Sequence, residues 1–135
     1  MTFETSRYGY SLHLATASVT EAKALITEAL KKEGFGILTE IDVKDTLKRK
    51  IDKDFREYLI LGACNPTFAH TALTTELGIG LLLPCNVCVW ADDRGGAMVA
   101  MARPEAMFAA VGNPAMHSLV GQVDERLRRA LDSIA

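Results

Sequence analysis

The chain has 135 residues, 49% of them hydrophobic and 24% charged, which is enough for one domain with a real core and far from a disordered composition. Fifteen basic and seventeen acidic residues leave a formal charge of -2, so there is no electrostatic reason to expect nucleic acid or an anionic membrane as partner. No apolar run approaches the roughly 18 to 20 residues of a membrane helix, and Glu4, Arg7 and His13 interrupt what a signal peptide would need to keep apolar. Three cysteines are too few and too odd for a disulfide framework, so free thiols in a reducing cytoplasm are expected.

Tyr8 to Thr16 alternates, with Tyr10, Leu12 and Leu14 on one side, as a half-buried strand requires. Ser18 or Thr20 then caps a helix whose stripe is Ala22, Leu25, Ile26, Ala29 and Leu30. Lys31 and Lys32 suit its negative end, and Gly34 stops it. Phe35 to Ile41 reads as a second strand. Val43 to Ile51 follows as a short amphipathic helix, with Val43, Leu47 and Ile51 at four-residue spacing. Its basic face is interleaved with acidic residues, which makes it a solvated surface rather than a nucleic-acid patch.

Phe55 to Ala63 reads as a third strand, its second half apolar on both faces and so central in the sheet. Asn65-Pro66 opens a helix, because Asn is a strong N-cap and Pro is favoured in the first turn. Phe68, Ala69, Ala72 and Leu73 form its buried stripe, and it ends before Gly78. Leu81 to Ala91 and Ala97 to Ala102 are two more strands joined by a glycine-containing loop. Pro104 opens a short helix through Val111, and Asn113-Pro114 begins the last one, with a stripe running from Met116 to Ile134. The order implies an α+β domain with a mainly antiparallel sheet and helices on one face. Val87, Val89 and Ala91 alternate with Cys88 and Trp90, so neither face of that strand is polar, and a homodimer is expected to cover the exposed one.

Chemistry concentrates in two Cys-Asn segments, Cys64-Asn65 and Cys85-Asn86. Cys85 and Cys88 have CxxC spacing, but residues three apart on a strand point to opposite faces, which opposes a redox pair or a zinc site. No metal and no cofactor is expected. Cys64 lies where a strand meets a helix N-terminus, whose positive end can favour a thiolate. Cys85 is then its candidate neighbour across the sheet. Glu40 and His70 are further candidate contacts for a ligand, with Asn65 and Asn86. The structural alternative is that the thiols fill space and that Asn65 serves as a helix cap. His13 and His117 stand alone, and Met98, Met101, Met107 and Met116 fit packing better than metal binding.

The stretches Tyr58-Leu-Ile-Leu-Gly-Ala-Cys-Asn-Pro and Gly80-Leu-Leu-Leu-Pro-Cys-Asn-Val-Cys-Val, with Gly34 to Val43, resemble the domain-of-unknown-function family 302 over nearly the whole chain. The resemblance implies a compact α+β domain of the TATA-binding-protein-like class, with helices against one face of a curved antiparallel sheet, and a homodimer. The family's motif positions fall on Glu40, Cys64, Asn65, Pro66, His70, Pro84, Cys85 and Asn86; Cys88 lies outside that pattern. No activity comes with it. The leading expectation is a cytoplasmic binding module for a small apolar or amphipathic ligand near Cys64, Asn65, Cys85 and Asn86. A thiol-dependent enzyme or redox sensor, with Cys64 reactive and Cys85 resolving, is the alternative, and a purely structural or interaction protein the third.

Overall fold

The computed structural model describes residues 2–135. In chain order it contains β1 (Glu4–Thr5), β2 (Gly9–Leu14), α1 (Val19–Lys32), β3 (Gly36–Asp42), α2 (Val43–Ile51), β4 (Tyr58–Cys64), α3 (Pro66–Thr75), β5 (Cys85–Ala91), β6 (Ala97–Ala102), α4 (Pro104–Phe108) and α5 (His117–Ser133). Three 3₁₀ segments, Leu77–Leu82, Ala109–Val111 and Pro114–Met116, flank the short helices. The strands form one open sheet, ordered β1-β2-β6-β5-β4-β3, with every neighbouring pair antiparallel. The protein is an α+β domain.

Strand register explains the core. Leu61, Val87, Met101 and Tyr10 stand abreast across four strands, and Leu59, Val89, Val99 and Leu12 form the next row on the same face. In a strand alternate side chains share a face, so these rows build a continuous apolar floor. Helix α1 lays Val19, Ala22, Ile26, Ala29 and Leu30 on that floor, and α5 adds Val123, Leu127, Ala130 and Leu131. Each fully buried Leu or Ile among them contributes roughly 1.5 to 3 kcal/mol.

Local signals set the element ends. Ser18 and Glu21 form a reciprocal capping box, with the Glu21 amide donating to Ser18 Oγ at 3.0 Å and the Ser18 amide to Glu21 Oε1 at 3.2 Å. At the other end of α1, the Arg129 guanidinium of α5 donates to both carboxylate oxygens of Glu33, which holds that carboxyl below the usual carboxylate range.

Several boundaries differ from the sequence reading. The run expected as a strand from Leu81 begins its strand only at Cys85; Leu77–Leu82 is a 3₁₀ turn in which Ile79 alone is buried. Gly78 and Gly80 break the run, and Pro84 has no amide to give a ladder. β4 starts at Tyr58 rather than Phe55, and the last α-helix proper starts at His117, after the Asn113-capped 3₁₀ turn. The expected helix through Val111 turns 3₁₀ after Phe108. Strand β1 carried no periodic signal, being two exposed residues long.

Candidate functional site

Cys64 is the last residue of β4, and Asn65 is the N-cap of α3. The Asn65 side chain is buried, and its Oδ1 accepts from the amides of Thr67 at 3.1 Å and Phe68 at 3.2 Å. The positive end of α3 is therefore answered by Asn65, not by the thiol. Burial pushes the Cys64 thiol up from its ordinary value, the reverse of what a helix-activated thiolate would show. Cys85 pairs across the sheet with Ala63, next to Cys64. Its thiol is pushed up to about 11, first by burial and then by the neighbouring Cys64.

Both thiols line one cavity at this end of the sheet. Its walls come from Phe68 and Ala72 of α3, Phe108 of α4, Met116, and Val120 and Val123 of α5, with Phe35 and Leu83 beside them. The free volume is about 40 Å³, room for a few water-sized spheres in a surface that is almost wholly apolar. Ala72, Met116 and Val120, with Ile79, form a second small core, separate from the main one. At its edge, the Arg126 guanidinium stacks over the Phe68 ring at 5.1 Å and donates to the Glu33 carbonyl at 3.1 Å. Gly34 sits close by at φ 87°, and a Cβ there would stand 2.8 Å from Asn65 Nδ2.

The other expected contacts are scattered. Asn86 alternates with Cys85 and lies exposed toward the opposite face of the sheet, so the two halves of that Cys-Asn segment serve different surfaces. Glu40 is on an edge strand and exposed, in an ion pair with Lys23 of α1 at 2.5 Å. His70 is exposed on α3 and is not part of the cavity lining. Cys85 and Cys88 do point to opposite faces: Cys88 belongs to the open face, where its thiol meets the Tyr58 hydroxyl. Among the described residues no three His, Cys, Asp or Glu side chains converge as a metal would require.

On the opposite face, a Cβ on Gly62 would lie 2.2 Å from Thr39 Oγ1 and 2.7 Å from Pro84 Cγ, so only glycine lets β3, β4 and Pro84 close together on the Asn86 side of the sheet.

One polar cluster was missed from sequence. Tyr10 donates to Asp124 Oδ1 at 2.5 Å, Arg128 donates to Asp124 Oδ2 at 2.8 Å, and the Arg103 guanidinium lies 5.8 Å from the Tyr10 ring centroid. Burial, then the hydrogen bond to Asp124, raises the Tyr10 phenol. The available signal was a charge, Asp124, set among the apolar residues of the α5 stripe.

Fold and cavity together define a class: an open antiparallel α+β domain with an apolar, thiol-lined cavity between one sheet end and short helices. The chain belongs to the domain-of-unknown-function family DUF302, whose profile matches residues 10–134. A solved structure, an uncharacterised conserved DUF302 protein from Bacillus stearothermophilus, is 28% identical and superposes with a TM-score of 0.85, covering 94% of this chain and 98% of that one. No curated protein matches this chain.

Proposed function

We propose that the protein is a small homodimeric binding module whose cavity at the Cys64 end of the sheet takes a small apolar or amphipathic molecule. The observation that carries this reading is the cavity's composition: an apolar lining, two thiols held neutral by burial, and Asn65 as the polar group at its rim. Its outer wall supports the reading as well. Phe108 and Met116 sit on a helix of five residues and a 3₁₀ turn of three, rather than on the long helices. The free volume is about a quarter of the ~150 Å³ that accepts benzene. A ligand therefore enters by moving that wall, and Met116 has the unbranched, three-torsion side chain suited to such movement.

Thermal unfolding with 1-octanol tests this. At a hundredfold excess over Kd, about 2.7 kcal/mol of stabilisation raises Tm by about 10 °C. Ala72→Phe fills the cavity and abolishes the rise. Val123→Ala, which enlarges it, serves if the first variant folds poorly and increases the rise. Identical shifts in wild type and both variants would remove the cavity as the site. The reading as a thiol enzyme makes the opposite demand on Cys64, a thiolate near neutral pH, which its burial opposes.

The homodimer rests on the open sheet face. Tyr58 and Trp90 stack with ring centroids 5.4 Å apart, and Cys88, Ala100, Ala102, Tyr8 and Met107 border the same shallow groove of about 250 Å³. Tyr8 is 76% exposed. A second copy laid on this face would bury it. No helix of the described residues is long and apolar enough to cross a membrane, and three unbridged cysteines support a cytoplasmic setting.

A further inference from the structure

A second cavity stands directly outside the first. It holds about 360 Å³ and is lined by Glu105, Asn113, His117 and Gly121, among others. Phe108, Met116 and Val120 line both cavities, so these three side chains are the partition between them. The two spaces differ in chemistry. The inner one is almost wholly apolar; the outer one is bordered by the His117 imidazole, by the Glu105 carboxylate paired with Arg103, and by the Asn113 amide, which accepts from the Ala115 amide and donates to Glu76 and keeps one N–H and one lone pair beyond those bonds.

Gly121 supplies an independent observation. It is the fifth residue of α5, where glycine costs about 1 kcal/mol relative to alanine. Its φ is not in the left-handed region, and a Cβ built on it would meet no atom within 4 Å. Neither backbone conformation nor packing calls for glycine there. What its missing side chain leaves is room in the outer cavity.

Resting on the binding reading above, we infer that the two cavities are one bipartite site for an uncharged amphiphile. Its aliphatic chain passes the Phe108–Met116 partition into the inner cavity, and its hydrogen-bonding head stays in the outer one with Asn113 and His117. Glu105 in the outer lining is ion-paired with Arg103 at 3.5 Å, and the lining brings no lysine or arginine to an anionic head, so an alcohol or amide fits better than a carboxylic acid.

The test uses the full chain with two probes of different reach: xenon, which needs only the inner cavity, and 1-octanol, which needs both. Gly121→Leu fills the outer space and retains a helical residue. It is expected to leave xenon uptake, read by xenon NMR, within twofold of wild type while weakening 1-octanol tenfold or more. Octanoate is expected to bind wild type at least tenfold more weakly than 1-octanol. Undiminished octanol binding by Gly121→Leu, joint loss of both probes in that variant, or tighter binding of octanoate would overturn the bipartite site. Wild type that takes up neither probe would instead overturn the binding reading beneath it. Gly121→Ala, which melts above wild type, serves as the folding control.

Discussion

Asn65 caps α3, as its place before Pro66 predicts, and the Cys64 thiol beside it gains no activation from that helix end. The thiol is raised by burial, so iodoacetamide labelling of Cys64 should be slow at pH 7 and accelerate only above the ordinary thiol range of about 8.5. A labelling midpoint well below that range would restore the reactive-thiol reading. Asn65→Ala removes the acceptor for two amides of the first turn of α3 and should cost about 1 kcal/mol in urea melts. Gly34→Ala should also destabilise, because its Cβ would combine a left-handed φ with a 2.8 Å approach to Asn65 Nδ2. The alkaline limb of stability follows from raised groups. Cys85 is raised from 9.0 to about 11 and Tyr58 from 10.0 to about 12. Each stabilises fully below its unfolded value and is lost as pH rises through its folded one. Stability should therefore fall between about pH 9 and 12; Cys85→Ala should flatten the part between about pH 9 and 11 and Tyr58→Phe the part between about pH 10 and 12.

At the scale of elements, the sequence was clearest where one periodicity and one cap agree. The Ser18–Glu21 capping box and the Ala22, Ile26, Ala29, Leu30 stripe define α1, and the Val43–Ile51 amphipathic spacing coincides with α2. Leu81 to Leu83 was illegible because an apolar run has no period of its own: Leu81 is 92% exposed in a 3₁₀ turn, although the run from it reads as strand. Of the cavity lining, Cys64, Asn65 and Cys85 were legible as neighbours because the strand ends and the Asn65 cap place them at one end of the sheet. Asn86, Glu40 and His70 were not, since each depends on which face of its own element turns inward or on an edge position that spacing does not reveal. The outer wall of the cavity was invisible for another reason. Met116 and Val120 read as part of the last helix's apolar stripe, nothing singled out Phe108, and only their arrangement against α3 leaves a space between them.

Across the whole molecule, the sheet has two unlike faces. One is closed by α1 and α5 over the main core; the other carries the Tyr58–Trp90 stack and the exposed Tyr8. Trp90→Glu places a charge at the centre of that face and should turn a dimer into a folded monomer in sedimentation velocity, with little change in helix content. A wild-type monomer at micromolar concentration would contradict the dimer. The cavity lies at one end of the sheet, lined from the helix side, so a copy laid on the open face need not obstruct it. The most direct measurement is a methyl NMR titration of the wild-type protein with 1-octanol. Shifts concentrated at Ala72, Met116, Leu119, Val120 and Val123, saturating with one ligand per chain, are the predicted result. Shifts confined to Met98, Ala100 and Ala102 of the open face, or no saturable shift, would contradict it.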